Sequence, residues 1–589
     1  MRVSFVVAPV LSVARPALGV SLLKACLARA GVESRIHYAN LSFAAQEGLE
    51  WNEFLAERIP ADLLAGEWIF SRTNSVRKYA EKLRQTVDAE IVDRLMETRR
   101  RAGEFLAREV EKIAAYGADI VGFSSSFQQS CASLAMASML KRMRPAVVTC
   151  FGGANCESPM GEALRRCYPQ IDHVFSGEAE ETFVAFVTSY ARGAVRPTLN
   201  VMDSTQRANH FVDLDQQPVP DFSDYFEGLR QAEALAPVEV SLPFEASRGC
   251  WWGAKHHCTF CGLNGGALTY RSKSAGKVLE ELRILRERWG IDRFSASDNI
   301  LNPGHIPDVL AELDAQGSSL ELFFEIKANT TLEQLRTMAR AGVSWVQPGI
   351  ESLDDELLQK LEKGVSLLLN LRLLRSCAEV GMRAGWNLLT GIPGESDEQY
   401  ENIVALIPKI EHLEPPDLCV PIRIDRYSPY FERPEEFGFR GMKPAWAYEH
   451  IFDVAEAERV KLAYFFHAEC GATAGAEVLA RLKAGVDEWR GRFHQASAPT
   501  LFAAKVQQGT LVVDTRSCAK QRMRMLSACE ADLLATLRDP VRYEFAEKQL
   551  GAKYDAGSLR AAYAELLGAA YVVASGGKAL SVVTEKIAS

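Results

Sequence analysis

Three cysteines, Cys250, Cys258 and Cys261, follow one another in a C-x7-C-x2-C spacing within residues 247–265. Three thiolates on one loop suit three irons of a [4Fe–4S] cluster and leave the fourth iron open to another ligand. They also suit a zinc ion, which closes with four donors, and His256 or His257 can supply the fourth. The plain alternative is three unrelated buried thiols. The run Gly262 to Gly266 (Gly-Leu-Asn-Gly-Gly) lets backbone come close to whatever the loop holds.

The elements that position this loop can be read on either side of it. Residues 238–247 (Val-Glu-Val-Ser-Leu-Pro-Phe-Glu-Ala-Ser) read as a strand leading into the loop. Residues 275–289 carry Val278, Leu279, Leu282, Leu285 and Trp289, a helical stripe. Strands are predicted again at helical intervals over 293–298, 321–329, 345–352, 384–391 and 420–427, which makes six βα units and a partial parallel barrel. Active sites of such barrels gather at the C-terminal ends of the strands. Those ends carry Asp298, Asn299, Glu325, Lys327, Asn329, Gln347, Glu351, Ser352, Asn387 and Arg423.

The cysteine loop between strand and helix, with Phe260 just before the last cysteine, resembles the radical S-adenosylmethionine (SAM) superfamily. That family usually spaces its cysteines x3 then x2. The longer first gap resembles a subgroup of cobalamin-dependent enzymes that modify ribosomally made peptides. The resemblance covers about 241–430 and implies cluster ligands at Cys250, Cys258 and Cys261. It implies SAM contacts from Phe260, Gly262, Glu325 (a ribose-binding acid), Gln347, and the Gly349-Ile-Glu-Ser352 segment with Glu351 and Ser352. It also places Gly391-Ile-Pro-Gly-Glu395 near the adenine.

Before the barrel, strands are predicted over 2–9, 34–38, 118–126, 146–153 and 173–178, alternating with helices such as 18–30. This is a doubly wound parallel sheet, so the fold class is α/β. Ligands of such sheets bind beyond the strands' carboxyl ends, here Pro9, Ser124-Ser125-Ser126, Gly152-Gly153 and Ser176-Gly177-Glu178. These small residues leave room for a large flat ligand, and equally suit ordinary βα turns. No G-x-G-x-x-G follows the first strand, which disfavours a dinucleotide. Next to a radical SAM barrel, residues 1–192 resemble a cobalamin-binding Rossmann-like domain, with Ser124, Ser125, Gly152, Gly153, Gly177 and Glu178 as contacts. The D-x-H-x-x-G motif is missing, so the resemblance implies a cobalt with no protein histidine beneath it. Residues 41–100 read as a helical insertion, with Arg72 a candidate neighbour of the lower cobalt face. Residues 193–240, with Pro218, Pro220 and Pro237, read as an extended linker.

Residues 431–500 contain Phe431, Trp446, Tyr448, Tyr464, Phe465, Phe466 and Trp489, which either cap the barrel and line a substrate entrance or fill a core. Residues 501–589 read as a separate unit. It has a strand over 509–515, a helix opened by Ser527 with Glu530 as a capping box, helices over 541–550 and 558–567, and a hairpin about Gly576-Gly577. The unit is winged-helix-like and resembles the peptide-recognition domain of enzymes that modify ribosomal peptides, in which a leader peptide adds a strand to a sheet edge. The alternative is a dimerisation or packing domain.

The net charge of −9 argues against nucleic acid as a partner. No apolar run reaches a membrane span, and residues 1–13 read as a first strand, not a signal peptide. Ten further cysteines are scattered without paired spacing, which suits reduced thiols in a cytoplasm. The resemblance implies the following chemistry. Cobalamin takes a methyl group from one SAM, the cluster reduces a second SAM to a radical that abstracts hydrogen, and the carbon radical receives the methyl. The expected partners are a precursor peptide and an external electron donor such as a flavodoxin or ferredoxin. Asp298, Arg423 and Tyr427 are the candidates to orient the peptide. Rival outcomes are cyclisation, non-radical aromatic methylation, or a zinc-stabilised peptide-binding protein.

Overall fold

The computed structural model describes residues 1–193, 201–203, 211–263, 265, 268–471 and 473–585. Asn264 and Gly266 of the glycine run, and residues 194–200 and 204–210 of the expected linker, lie outside the described residues.

Strand β1 (Arg2–Val7) is buried from Val3 onward, as a central strand of a parallel sheet must be. It sits between β2 (Glu33–Tyr38) and β3 (Ile120–Ser124), followed by β4 (Val148–Gly152), β5 (His173–Ser176) and β6 (Val201–Asp203). All are parallel, in the order β2-β1-β3-β4-β5-β6. The period-2 rule divides β1 between two cores: Val3, Phe5 and Val7 face one, and Val6 faces the other. The helical insertion after β2 runs beyond 100, because the helix Ala89–Tyr116 extends for 28 residues back to β3. The stretch expected as an extended linker differs as well. It supplies β6, and its helix Ser223–Gln231 docks on the first domain through Tyr225 to the Val13 carbonyl and Asp224 to Lys24.

The barrel begins with β7 (Leu242–Phe244). The short antiparallel pair β8 (Ser247–Arg248) and β9 (Arg271–Ser272) then closes the cysteine loop like a stem. Strands β10 (Arg293–Ala296), β11 (Glu321–Ile326), β12 (Val343–Pro348) and β13 (Arg383–Ala384) extend the parallel arc in the order β13-β12-β11-β10-β7. A bridge from Glu351 to Leu388 carries the arc to β14 (Asn387–Thr390), which pairs with β15 (Leu418–Pro421). With β13 and β14 as one interrupted strand, this is the expected six-strand arc, except at its end. The last strand stops at Pro421, which has no N–H to continue the ladder. Residues beyond it enter an antiparallel sheet, with β16 (Ile424–Asp425) and β17 (Phe439–Pro444) on either side of β18 (Phe465–Cys470).

Most aromatic residues of 431–500 fill cores. Tyr448, Tyr464, Phe465 and Phe466 share one with Trp68 and Phe123 of the first domain, and Trp489 packs against Trp386 of the barrel. The C-terminal unit has β19 (Leu501–Val506), β20 (Gly509–Asp514) and β21 (Met523–Leu526), three helices, the hairpin β22 (Val572–Ser575) and β23 (Lys578–Ser581), and β24 (Thr584–Glu585) returning beside β19. The Ser527–Glu530 capping box is present. Leu501, Val512, Leu533 and Val582 belong to the barrel's own core, and Arg375 of the barrel donates to the Ser581 and Arg538 carbonyls. The unit is therefore fused to the barrel and does not stand apart from it. Among the described residues no helix is long and apolar enough to cross a membrane.

Candidate active site at the barrel mouth

The stem of the cysteine loop places Arg248 directly opposite Arg271. Like charges in that position repel, and carboxylates from the first domain and from Glu245 offset them. Arg248 pairs with Glu180 at 2.5 Å, Glu245 at 2.6 Å and Glu178 at 3.5 Å, while Arg271 binds Glu178. Burial opposes the charge on Glu178, but Arg271 and Arg248 outweigh it and hold that carboxyl below its ordinary value. Glu178 is thus an ion-pair partner of the loop stem. Gly249 follows at φ 80°, where a Cβ would lie 2.4 Å from the Thr269 carbonyl oxygen. Asp298 fixes the other approach, accepting from Ala246 N at 2.8 Å and Ser247 Oγ at 2.6 Å. Burial raises its carboxyl to about 7. Asp298 holds the strand that leads into the loop.

Within the loop Cys258 is buried, and Cys250 and Cys261 are half-buried. Burial pushes the Cys261 thiol up to about 12 and raises Cys258, with the other loop cysteines among the charges each feels. The loop leans on the end of the helix Asp355–Lys360 and the turn that follows it. Thr259 donates to the Leu361 and Lys360 carbonyls, and Trp252 Nε1 donates to the Glu362 carbonyl at 3.2 Å. A Cβ on Gly364 would fall 2.1 Å from the Trp252 ring. On the other side, Trp251 Nε1 donates to the Leu301 carbonyl. Neither histidine completes a metal site: His257 Nε2 bonds the Cys261 carbonyl, and His256 stacks on Trp252. Among the described residues no three His, Cys, Asp or Glu side chains converge on a single ion. Three thiols on one glycine-bearing loop, without a fourth donor and with lysines beside them, fit an iron–sulfur cluster with an open iron better than a closed zinc site.

The ends of β11 and β12 face this loop. Burial, with Glu351 and Asp298 adding to it and Lys363 opposing, raises Glu325 to about 7. Its register partner Gln347 is exposed. Among the described residues neither side chain has a hydrogen-bond partner. Glu351 sits at φ 59° and pairs with Lys363 at 3.1 Å. Ser352 is buried and accepts from Asp354 N. Phe260 lies under the Lys363 ammonium, 5.6 Å from it. Gly262 is required by close approach, since a Cβ there would lie 2.3 Å from the Arg426 carbonyl. Glu395 caps its own turn through Ile392 N.

Arg423 and Tyr427 lie beyond the barrel strands, in the cap. Arg423 binds Asp425 through two nitrogens and covers Phe465, and Tyr427 donates to the Ser158 carbonyl of the first domain at 2.8 Å. At the ends of the first sheet, the Ser125 hydroxyl bonds Ser130, and Asn155 donates to both. Gly152 accepts from Ser125 N, and Gly153 has φ 98°, with a Cβ position 2.6 Å from the Ser125 carbonyl. Gly177 donates to Glu157, Ser124 is half-buried, and Arg72 is exposed. Sequence reasoning missed Asn155, Trp252 and Lys363. The signal for the last two was Gly364, a left-handed turn residue beside a lysine.

Residues 244–407 match the model of the Radical SAM superfamily. An uncharacterized methyltransferase of Pyrococcus horikoshii is 24% identical over 56% of this chain and 72% of its own. The radical enzyme OxsB, solved with aqua-cobalamin and SAM, superposes over 96% of this chain and 70% of its own, at 11% identity and TM-score 0.54. The methyltransferase TsrM of Kitasatospora setae, solved with cobalamin and a [4Fe–4S] cluster, superposes over 82% of this chain and 90% of its own, at 16% identity and TM-score 0.52. These likenesses show a shared fold, and the matched domain is the one whose mouth carries the cysteine loop. Residues 244–407 of this chain thus form a radical SAM domain.

Proposed function

We propose that the protein is a cobalamin-dependent radical SAM methyltransferase that methylates an unactivated carbon of a ribosomally made precursor peptide. A [4Fe–4S] cluster with SAM supplies the hydrogen-abstracting radical, and cobalamin supplies the methyl group. The chain's own residues do the positioning. Cys250, Cys258 and Cys261 hold the iron, and Asp298 and the Glu178 ion pairs fix the loop that carries them. Glu325, Gln347 and Glu351 face the space where SAM would lie. The ends of β1, β3 and β4, with Gly152, Gly153 and Ser124, form the floor for a flat corrin. An external one-electron donor and a reducing compartment such as the cytoplasm complete the reading. The methyltransferase relative and the two superposed folds support it.

The observation that carries the peptide reading is the outer face of the C-terminal sheet. Phe502, Val513 and Met523 form one cross-strand row, and Ala504, Leu511 and Met525 form the next. Met523 is 62% exposed and Met525 45%. β21 ends the sheet, and its edge suits an added strand. Met523→Glu with Met525→Glu should weaken binding of the precursor by about tenfold or more, measured by fluorescence anisotropy, with iron and cobalamin content unchanged. Equal affinity in the double variant refutes this part. Cyclisation would show as a product without added methyl mass.

A further inference from the structure

Lys327 follows β11, and among the described residues its ammonium has no carboxylate partner. Its contacts are the Lys363 carbonyl at 2.5 Å and the face of Trp252, 3.3 Å from the ring centroid. Trp252 lies within the cysteine loop, between Cys250 and Cys258. Its bond to Glu362 and the bare Gly364 beneath it keep it in place. The lysine is thus pressed against the loop by a cation–π contact. The neighbouring Lys363 differs, because Glu351 neutralises it at 3.1 Å. Burial and the neighbouring Lys363 ammonium lower Lys327 to about 8, and the negative groups that oppose this are Cys258 and Cys250. Those thiols become thiolates when they hold iron.

We propose that Lys327, seated on Trp252, tunes the iron–sulfur cluster by placing one uncompensated positive charge beside it and so makes its one-electron reduction easier. The step moves one electron from an external donor, which is oxidised, to the cluster, which is reduced. No bond or proton moves at the lysine. Net charge near a cluster is one of the levers that set its potential, and a close cation stabilises the more negative, reduced state.

This inference rests on the iron–sulfur reading, and the test separates the two. Wild type, Lys327→Gln, Lys327→Arg and Trp252→Leu are reconstituted anaerobically, iron and sulfide are counted, and the midpoint potential is read by electron paramagnetic resonance titration. SAM affinity is measured alongside. With equal iron, Lys327→Gln should make reduction about tenfold less favourable, which for one electron is about 59 mV lower. Lys327→Arg should stay within about threefold of wild type, or about 30 mV. Trp252→Leu, which frees the lysine, should shift the potential the same way by a smaller amount. An unmoved potential in Lys327→Gln at equal iron overturns the proposal. So does weakened SAM binding with the potential unmoved, which would make the lysine a carboxylate ligand. A wild type that takes up no iron overturns the cluster reading itself, and the proposal with it.

Discussion

The two parallel sheets both end in polar residues, and the two ends are chemically opposite. At the first sheet the polar groups close on one another. Ser125, Ser130 and Asn155 share hydrogen bonds, and Gln129 donates to the Ala8 carbonyl. At the barrel mouth, Glu325 and Gln347 stand without partners among the described residues, and Lys327 leans on a ring instead of a carboxylate. A closed network fixes a shape, whereas an open one leaves donors, acceptors and charge for a ligand. The first sheet therefore ends in a rigid surface, and the barrel mouth leaves polar groups and charge open. The ion pairs of Glu178 with Arg248 and Arg271 join the two ends.

The sharpest way to break this division is at the open end. Replacing Cys250, Cys258 and Cys261 together with Ala should lower bound iron from about four per chain to almost none, as read by iron analysis and absorbance, while cobalamin binding stays near wild type. Iron retained by the triple variant would place the cluster elsewhere. At the closed end, Gly153→Val puts side-chain atoms against the Ser125 carbonyl, in a backbone region that costs a branched residue about 1–3 kcal/mol. Cobalamin retention should fall at least severalfold, with iron unchanged. Loss of both cofactors together would show that the two ends are not separable.

The smallest expected effect concerns Asp298, which belongs to neither set. Burial carries its carboxyl from 3.8 to about 7, so across that window the folded state holds a proton that the unfolded state has released. The resulting stability is full below about pH 4 and is lost as pH rises through 7. Asp298→Asn removes this dependence. Between pH 5 and 7.5 the wild type should lose roughly 1–3 kcal/mol more than the variant, measured by denaturant unfolding. Parallel pH profiles would contradict the buried clamp.

Much of this was legible in the sequence, for physical reasons. The cysteine loop declares itself by spacing, and β1, β3 and β11 by apolar runs of the right length and period. The hairpin at Gly576 and Gly577, both at positive φ, follows from glycine alone. The end of the barrel was misread because apolar alternation continues through Val420, Ile422 and Ile424. A single strand's pattern does not say where its partner changes. β19 and β21 were missed for different reasons: Leu501–Val506 has two central alanines, and Met523–Leu526 is an exposed edge. Lys327 was noted only as one polar strand end among many. Its importance rests on Trp252, and a cation–π contact between residues 75 positions apart leaves no pattern in the chain.

The most direct test is a single reaction. The protein is reconstituted with iron, sulfide and cobalamin, then given a low-potential reductant, SAM with a trideuterated methyl group and the precursor peptide encoded beside it. The product is read by mass spectrometry. The account predicts a peptide heavier by one trideuterated methyl group in place of a hydrogen, on carbon, with 5′-deoxyadenosine formed alongside and no product when cobalamin is left out. A methylated peptide formed equally well without cobalamin, or a peptide that loses hydrogen without gaining the label, would contradict it.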